Sequence, residues 1–318
     1  MFLDYAPMEG ITGAAYRLLH HEYFPGVDRY FTPFLSPTKD HCFSPRDLRE
    51  IAPGNNPDVS VIPQLMSKVP EDFLWAAGEL HAMGYTELNL NLGCPSGTVT
   101  AKGKGAGMLA DVQVLDRFLD AVFAHCPCTL SVKTRLGMEN PEDFGPILEV
   151  YNRYPIAELI VHPRVRSDYY RHPVRVEWFE KALAQSKNPV SYNGSIVTAA
   201  DYAACAARYP QVKGIMIGQA LAADPFLAGK IKSGVRGDVH VLQEFHDRLF
   251  ETYAALFDSR PNAMKRMKEM WIYLICSFGD HDRHRKRLMK AKTPEEFLAA
   301  SGAIFRELPL LDDCVCTW

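Results

Sequence analysis

The chain has 318 residues, of which 47 % are hydrophobic and 23 % charged, a balance that excludes a disordered or fibrous protein and suits a large globular core. No run of ~18 apolar residues is present, which excludes a transmembrane helix. The net charge of −3 conceals an asymmetry: Gly229 to Lys292 holds 14 Lys/Arg against 8 Asp/Glu, so a basic C-terminal part follows an acidic body.

The opening MFLDYAPMEG carries Asp4 where an export signal would be basic, so no signal peptide is expected and the chain is placed in the cytoplasm, without membrane association. The eight cysteines are then expected as reduced thiols. Cys126/Cys128 and Cys314/Cys316 are each separated by one residue, short of the spacing of a zinc knuckle, and no metal is expected.

Short β-rich segments recur along the chain: LDYAPM (3–8), DRYFTPF (28–34), VSVIPQL (59–65), ELNLN (87–91), TLSVKT (129–134), ELIVH (158–162), PVSYN (189–193) and GIMIG (214–218). Most precede a helical pattern. Residues 69–85 place Phe73, Leu74, Ala77, Leu80 and Met83 on one face and close at Gly84; residues 111–126 start at Asp111 and place Val114, Leu115, Phe118, Leu119 and Val122 on one face; Thr198 is a candidate N-cap. Eight strands alternating with helices predict an α/β fold, a (β/α)8 TIM barrel over 1–235. An open doubly wound sheet would place a glycine-rich dinucleotide turn after its first strand, and Pro7-Met8-Glu9-Gly10 is not one. From Val239 to the C-terminus the pattern turns wholly helical, which predicts a separate small helical bundle over 239–318.

A barrel carries its site at the C-terminal strand ends, which here supply Pro7, Met8, Gln64, Asn91, Lys133, Arg135, His162, Asn193 and Gly218. Period-two alternation puts Asn89 with Asn91, and Lys133 with Arg135, on shared faces. Cys94, between Gly93 and Pro95, reads either as a catalytic thiol or as a small residue buried in a tight turn. Lys133 in an apolar strand reads as a Schiff-base nucleophile, a cation facing an electron-rich cofactor, or half of an ion pair. Lys102 and Lys104 lie in a glycine-rich stretch expected to be a flexible loop over the mouth that could clamp phosphate, and Gly194 and Gly218 stand where barrels often hold one.

Taken together, APMEG (6–10), PQL (63–65), NLNLGCPSG (89–97), SVKTRLG (131–137), VHPR (161–164), YNG (192–194) and MIG (216–218) resemble the tRNA-dihydrouridine synthase family in order, and the tail with Lys265, Arg266, Lys268 and Trp271 looks similar to that family's RNA-binding bundle. The resemblance implies an FMN-dependent oxidoreductase that takes electrons from NADPH or NADH and reduces uridine in tRNA to 5,6-dihydrouridine. It implies that Pro7 and Met8 line the flavin ring, Gln64 bonds its pyrimidine side, Lys133 faces N1/O2, His162 stands near flavin and substrate, and Asn193, Gly194, Gly218 and Gln219 surround the phosphate. Hydride would pass to C6 and a proton from Cys94 to C5. Asn91, Arg135, Arg164, Lys102, Lys104, Lys265, Arg266 and Lys268 would bind tRNA, the expected partner of a monomeric chain. Two motifs depart from the family: HPRV replaces HGRT at 162–165, and Gly218-Gln219-Ala220 replaces GRG, which removes a cation near the phosphate and implies weaker FMN retention. The alternatives are an FMN-barrel reductase of a small pyrimidine or enone, a Schiff-base aldolase using Lys133, and a barrel that binds RNA without catalysis.

Overall fold

The computed structural model describes residues 1–314. Nine strands, all parallel, form one sheet: β1 (Phe2–Tyr5), β2 (Arg29–Phe31), β3 (Val61–Ile62), β4 (Gln64–Leu65), β5 (Glu87–Leu92), β6 (Thr129–Thr134), β7 (Leu159–Val161), β8 (Val190–Asn193) and β9 (Gly214–Ile217). Their order is β3-β2-β1-β9-β8-β7-β6-β5-β4. The two ends, β3 and β4, are consecutive in the chain and separated by Pro63 alone, so the sheet closes into the predicted barrel. Proline has no N–H to give a ladder, and pairing changes partner across it: β3 bonds β2, whereas β4 bonds β5. The Thr32 hydroxyl accepts the Gln64 N–H at 2.9 Å in place of a ladder carbonyl.

The expected helix starts are present. Asp111 accepts the N–H groups of Gln113 and Val114, and Thr198 forms a capping box with Asp201. Gly84 ends its helix at a positive φ of 99°. Val114, expected on an apolar face, is exposed, whereas Leu115 beside it is buried. At the N-terminal end of the barrel a buried ionic plug joins strands distant in sequence: Arg29 bonds Asp4 at 2.6 and 2.7 Å and Glu158 at 2.8 and 3.0 Å.

The tail forms helices Val239–Phe257, Arg260–Leu274, Asp282–Lys290 and Pro294–Glu307. It packs against the barrel. Phe245 packs against Phe24, Tyr16 and Tyr23 of the first barrel helix, with ring centroids 4.9–5.9 Å apart, and one apolar core runs from barrel to tail. A periodic pattern reports the apolar face of each helix but not which neighbour covers it. The Cys314/Cys316 pair extends outside the described residues.

Candidate active site

The mouth of the barrel encloses a cavity of about 390 Å³. Pro7, Met8, Gln64, Asn91, Cys94, Lys133, Arg135, His162, Arg164, Asn193, Gly194, Gly218 and Gln219 all line it. They meet because each lies within or just beyond a strand of the barrel, on the side that faces its mouth.

Three of these strand ends are connected by one directed chain of hydrogen bonds. Asn91 Oδ1 accepts the backbone N–H groups of Gly93 and Cys94 at 3.1 and 2.9 Å. Its Nδ2 must therefore donate, and it donates to Gln64 Oε1 at 2.7 Å. Gln64 Nε2 donates to Asn89 Oδ1, Asn89 Nδ2 to Ser131 Oγ, and Ser131 Oγ to the Leu88 carbonyl. Every amide in this row is oriented by the Cys94 turn, and Gln64 retains one N–H and one lone pair for a ligand.

Cys94 is half-buried, and its sulfur accepts a backbone N–H from Ser96. Burial raises its pKa above the ordinary thiol value despite Arg135 and Lys133 nearby, so it is protonated at neutral pH. The glycine-rich segment at 102–107, expected as a flexible clamp, is a packed support instead. Ala106 N donates to the Cys94 carbonyl, a Cβ on Gly105 would meet Cys94 Cβ at 3.0 Å, and one on Gly107 would meet the Thr100 carbonyl oxygen at 2.6 Å. Lys102 projects into solvent, and neither Lys102 nor Lys104 lines the cavity.

Lys133 and Arg135 follow one another along the same face of β6 and its extension. No acid pairs with Lys133 among the described residues, and burial with the neighbouring Arg135 lowers its pKa to about 7. The ion-pair alternative is thereby excluded. Arg135 is anchored to the carbonyls of Gly93 and Val165 at 3.0 and 2.9 Å, and its buried Nη2 has no hydrogen-bond partner. Arg164 Nη1 donates to His162 Nε2 at 2.8 Å, which requires an unprotonated Nε2 and leaves the imidazole proton on Nδ1. Burial and the cations Arg135, Lys133 and Arg164 hold the His162 pKa well below its ordinary value, so this ring is neutral. Arg164 also bonds Ser195 Oγ and the His172 carbonyl.

The three tail cations lie away from this cavity, and two have internal partners. Arg266 Nη1 donates to the Gly10 carbonyl, and Lys268 Nζ donates to the carbonyls of Met289 and Ala291, where it closes the end of helix Asp282–Lys290. Lys265 is exposed. Among the lining residues that were not anticipated are Tyr170 and Tyr273. Tyr170 stands in a turn held by Asp168, with its ring 5.3 Å from the Arg135 guanidinium carbon. Tyr273 reaches the cavity from the tail and hydrogen-bonds Gln219. Neither has a local signature, since each arrives through tertiary packing.

A sequence model described as dihydrouridine synthase (Dus) matches residues 4–308. The chain belongs to the dihydrouridine synthase family. Among curated members it is 30 % identical over 231 residues to the probable tRNA-dihydrouridine synthase 1 of Synechocystis sp., covering 71 % of this chain and 63 % of the relative. It is 31 % identical over 199 residues to the tRNA-dihydrouridine(16) synthase of Cupriavidus necator, covering 60 % and 61 %. The chain thus spans less than two thirds of the length of either relative. In architecture it is similar to an old yellow enzyme homologue from Zymomonas mobilis at a TM-score of 0.54, with 10 % identity over 74 % of this chain and 88 % of that one, a likeness of fold. Among the described residues no helix is long and apolar enough to cross a membrane.

Proposed function

We propose that this member of the dihydrouridine synthase family reduces uridine in tRNA to 5,6-dihydrouridine, with FMN in the barrel mouth and NADPH or NADH as electron donor. The observation that carries this is the meeting of a protonated thiol, Cys94, with a buried amine that has no acid partner among the described residues, Lys133, on one mouth. The residues fit the cofactor. Lys133 offers charge to an electron-rich ring edge, and Gln64 keeps free polar capacity. At Gly218 a Cβ would stand 3.3 Å from Ala6, and the glycine leaves that wall to backbone alone. Pro7 and Met8 would line the ring, and Asn193, Gly194, Gly218 and Gln219, with Arg164 through Ser195, would surround the phosphate.

Bound there, FMN supplies the hydride that adds to C6 of the uracil. The protein must then supply a proton to C5. His162 is excluded because it is neutral and its Nε2 is already an acceptor. Cys94 holds the proton at neutral pH, and the turn that presents it is fixed by two N–H bonds to Asn91. Asn91 keeps one N–H for the base, and Arg135, pinned by two carbonyls, keeps its position as the pocket fills. The cavity is concave, so the target uridine leaves the RNA stack to enter. The exposed cations of helix Asp282–Lys290, with Lys265, supply backbone attraction.

Purified protein incubated with NADPH and an unmodified tRNA transcript, followed by nucleoside mass analysis, tests this. One uridine should gain the mass of two hydrogens. Reduction of a free pyrimidine or enone with no change in any tRNA would overturn it in favour of a small-molecule reductase.

A further inference from the structure

A second cavity, of about 300 Å³, opens beside the first. Pro33 lines both, and the turn between them divides its residues: Glu9 faces the first cavity and Gly10 the second. The Glu9 carboxylate holds Arg46, a wall residue of the second cavity, in an exposed ion pair. Such a pair contributes less than about 1 kcal/mol, so its guanidinium exchanges partners readily. Arg49, also on the wall, is exposed and forms no ion pair among the described residues. The opposite wall comes from the tail, with Leu256 (44 % exposed) and Phe257. The cavity therefore lies on the seam that any substrate touching both barrel and tail must cross.

We propose that this second cavity binds the nucleobase adjacent in the RNA chain to the uridine held in the first. The inference rests on the function proposed above. When one nucleotide enters the barrel mouth, its neighbour loses a stacking partner and exposes an apolar face. Arginine planes and aromatic rings are the side chains on which unstacked bases settle, and a guanidinium pairs with the intervening phosphate. A ridge one ion pair thick is what a single phosphodiester link must cross, and Arg46 stands on it. The volume is at the lower end for ligand pockets, which suits one base better than a dinucleotide.

Two variants test this in the flavin-loaded protein. Ala15→Phe fills the cavity from the barrel side, and Leu256→Ala removes its exposed apolar wall. Binding of an unmodified tRNA transcript is measured together with the fluorescence of 2-aminopurine placed on either side of the target uridine. Reduction of the flavin by NADPH reports that each variant is folded. The expected result is roughly tenfold weaker tRNA binding in both variants. Loss of the 2-aminopurine response on one side of the target is expected as well, with flavin reduction unchanged. Unchanged tRNA affinity and an unchanged fluorescence response in both variants would overturn the inference, as would a raised KM for NADPH with tRNA binding intact. A wild-type protein that reduces no tRNA overturns the proposed function together with this inference. A wild-type protein that reduces tRNA while both variants bind it normally overturns this inference alone.

Discussion

Asn91 governs more of the mouth than its single side chain suggests. Its oxygen receives two backbone N–H groups at the Cys94 turn, and the direction of the amides of Gln64 and Asn89 follows from that. Asn91→Ala should leave both N–H groups and Gln64 Oε1 without partners, at a cost of about 1–3 kcal/mol in stability. It should also lower turnover of tRNA by more than Cys94 burial alone explains, as read by thermal melts beside kinetics. Cys94→Ala should lower tRNA reduction by roughly 10²-fold or more while NADPH still reduces the flavin. Retention of full tRNA activity would show that another group gives the proton. Lys133 predicts a pH dependence. Its pKa in the unliganded chain is about 7, well below the ordinary lysine value, so the site loses its proton progressively as pH rises through 7. An anionic ligand favours the ammonium, so FMN binding should take up a proton above pH 7, and affinity should fall as pH rises from there. Calorimetry at pH 8 in buffers of different ionisation enthalpy reads that proton, and Lys133→Met should abolish it.

At the scale of elements, the strand ends were legible and the loops were not. Parallel strands are buried on both faces and read as apolar runs, so the polar residues at 64, 91, 133, 162 and 193 stood out as a ring of site candidates, and all line one cavity. The segment at 102–107 misled because glycine reports only that the backbone has freedom or that something lies close. Here Gly107 is small because the Thr100 carbonyl occupies the space a Cβ would need. Gly107→Ala should therefore cost about 1–3 kcal/mol by overpacking and displace the Cys94 turn above it. A melt and a tRNA turnover assay together check this. Gln219, where the family resemblance implies an arginine, hydrogen-bonds Tyr273 of the tail. We expect Gln219→Arg to tighten FMN retention in equilibrium dialysis. An unchanged dissociation constant would show that the phosphate site does not need the cation.

For the whole molecule, the change from alternating to purely helical pattern near residue 239 marks a change of architecture but not of core. Phe245 of the tail sits among Tyr16, Tyr23 and Phe24 of the barrel, and Arg266 bonds the Gly10 loop at the mouth. Sequence periodicity could not show this, because a seam is made by residues more than two hundred positions apart. Phe245→Ala should cost about 3–5 kcal/mol, and barrel and tail should still melt in one transition. The cations of the tail divide into two groups. Arg266 and Lys268 hold the fold, whereas Lys265 and helix Asp282–Lys290 present charge to solvent. The proposed joining of a reducible flavin to a uridine of tRNA in one mouth is tested by an anaerobic half-reaction. Protein reduced with one equivalent of NADPH is mixed with unmodified tRNA, and the flavin bands are followed. tRNA should restore the oxidised spectrum and gain two hydrogens at one uridine. A reduced flavin that persists in the presence of every tRNA, or a protein that takes up no flavin, would contradict it.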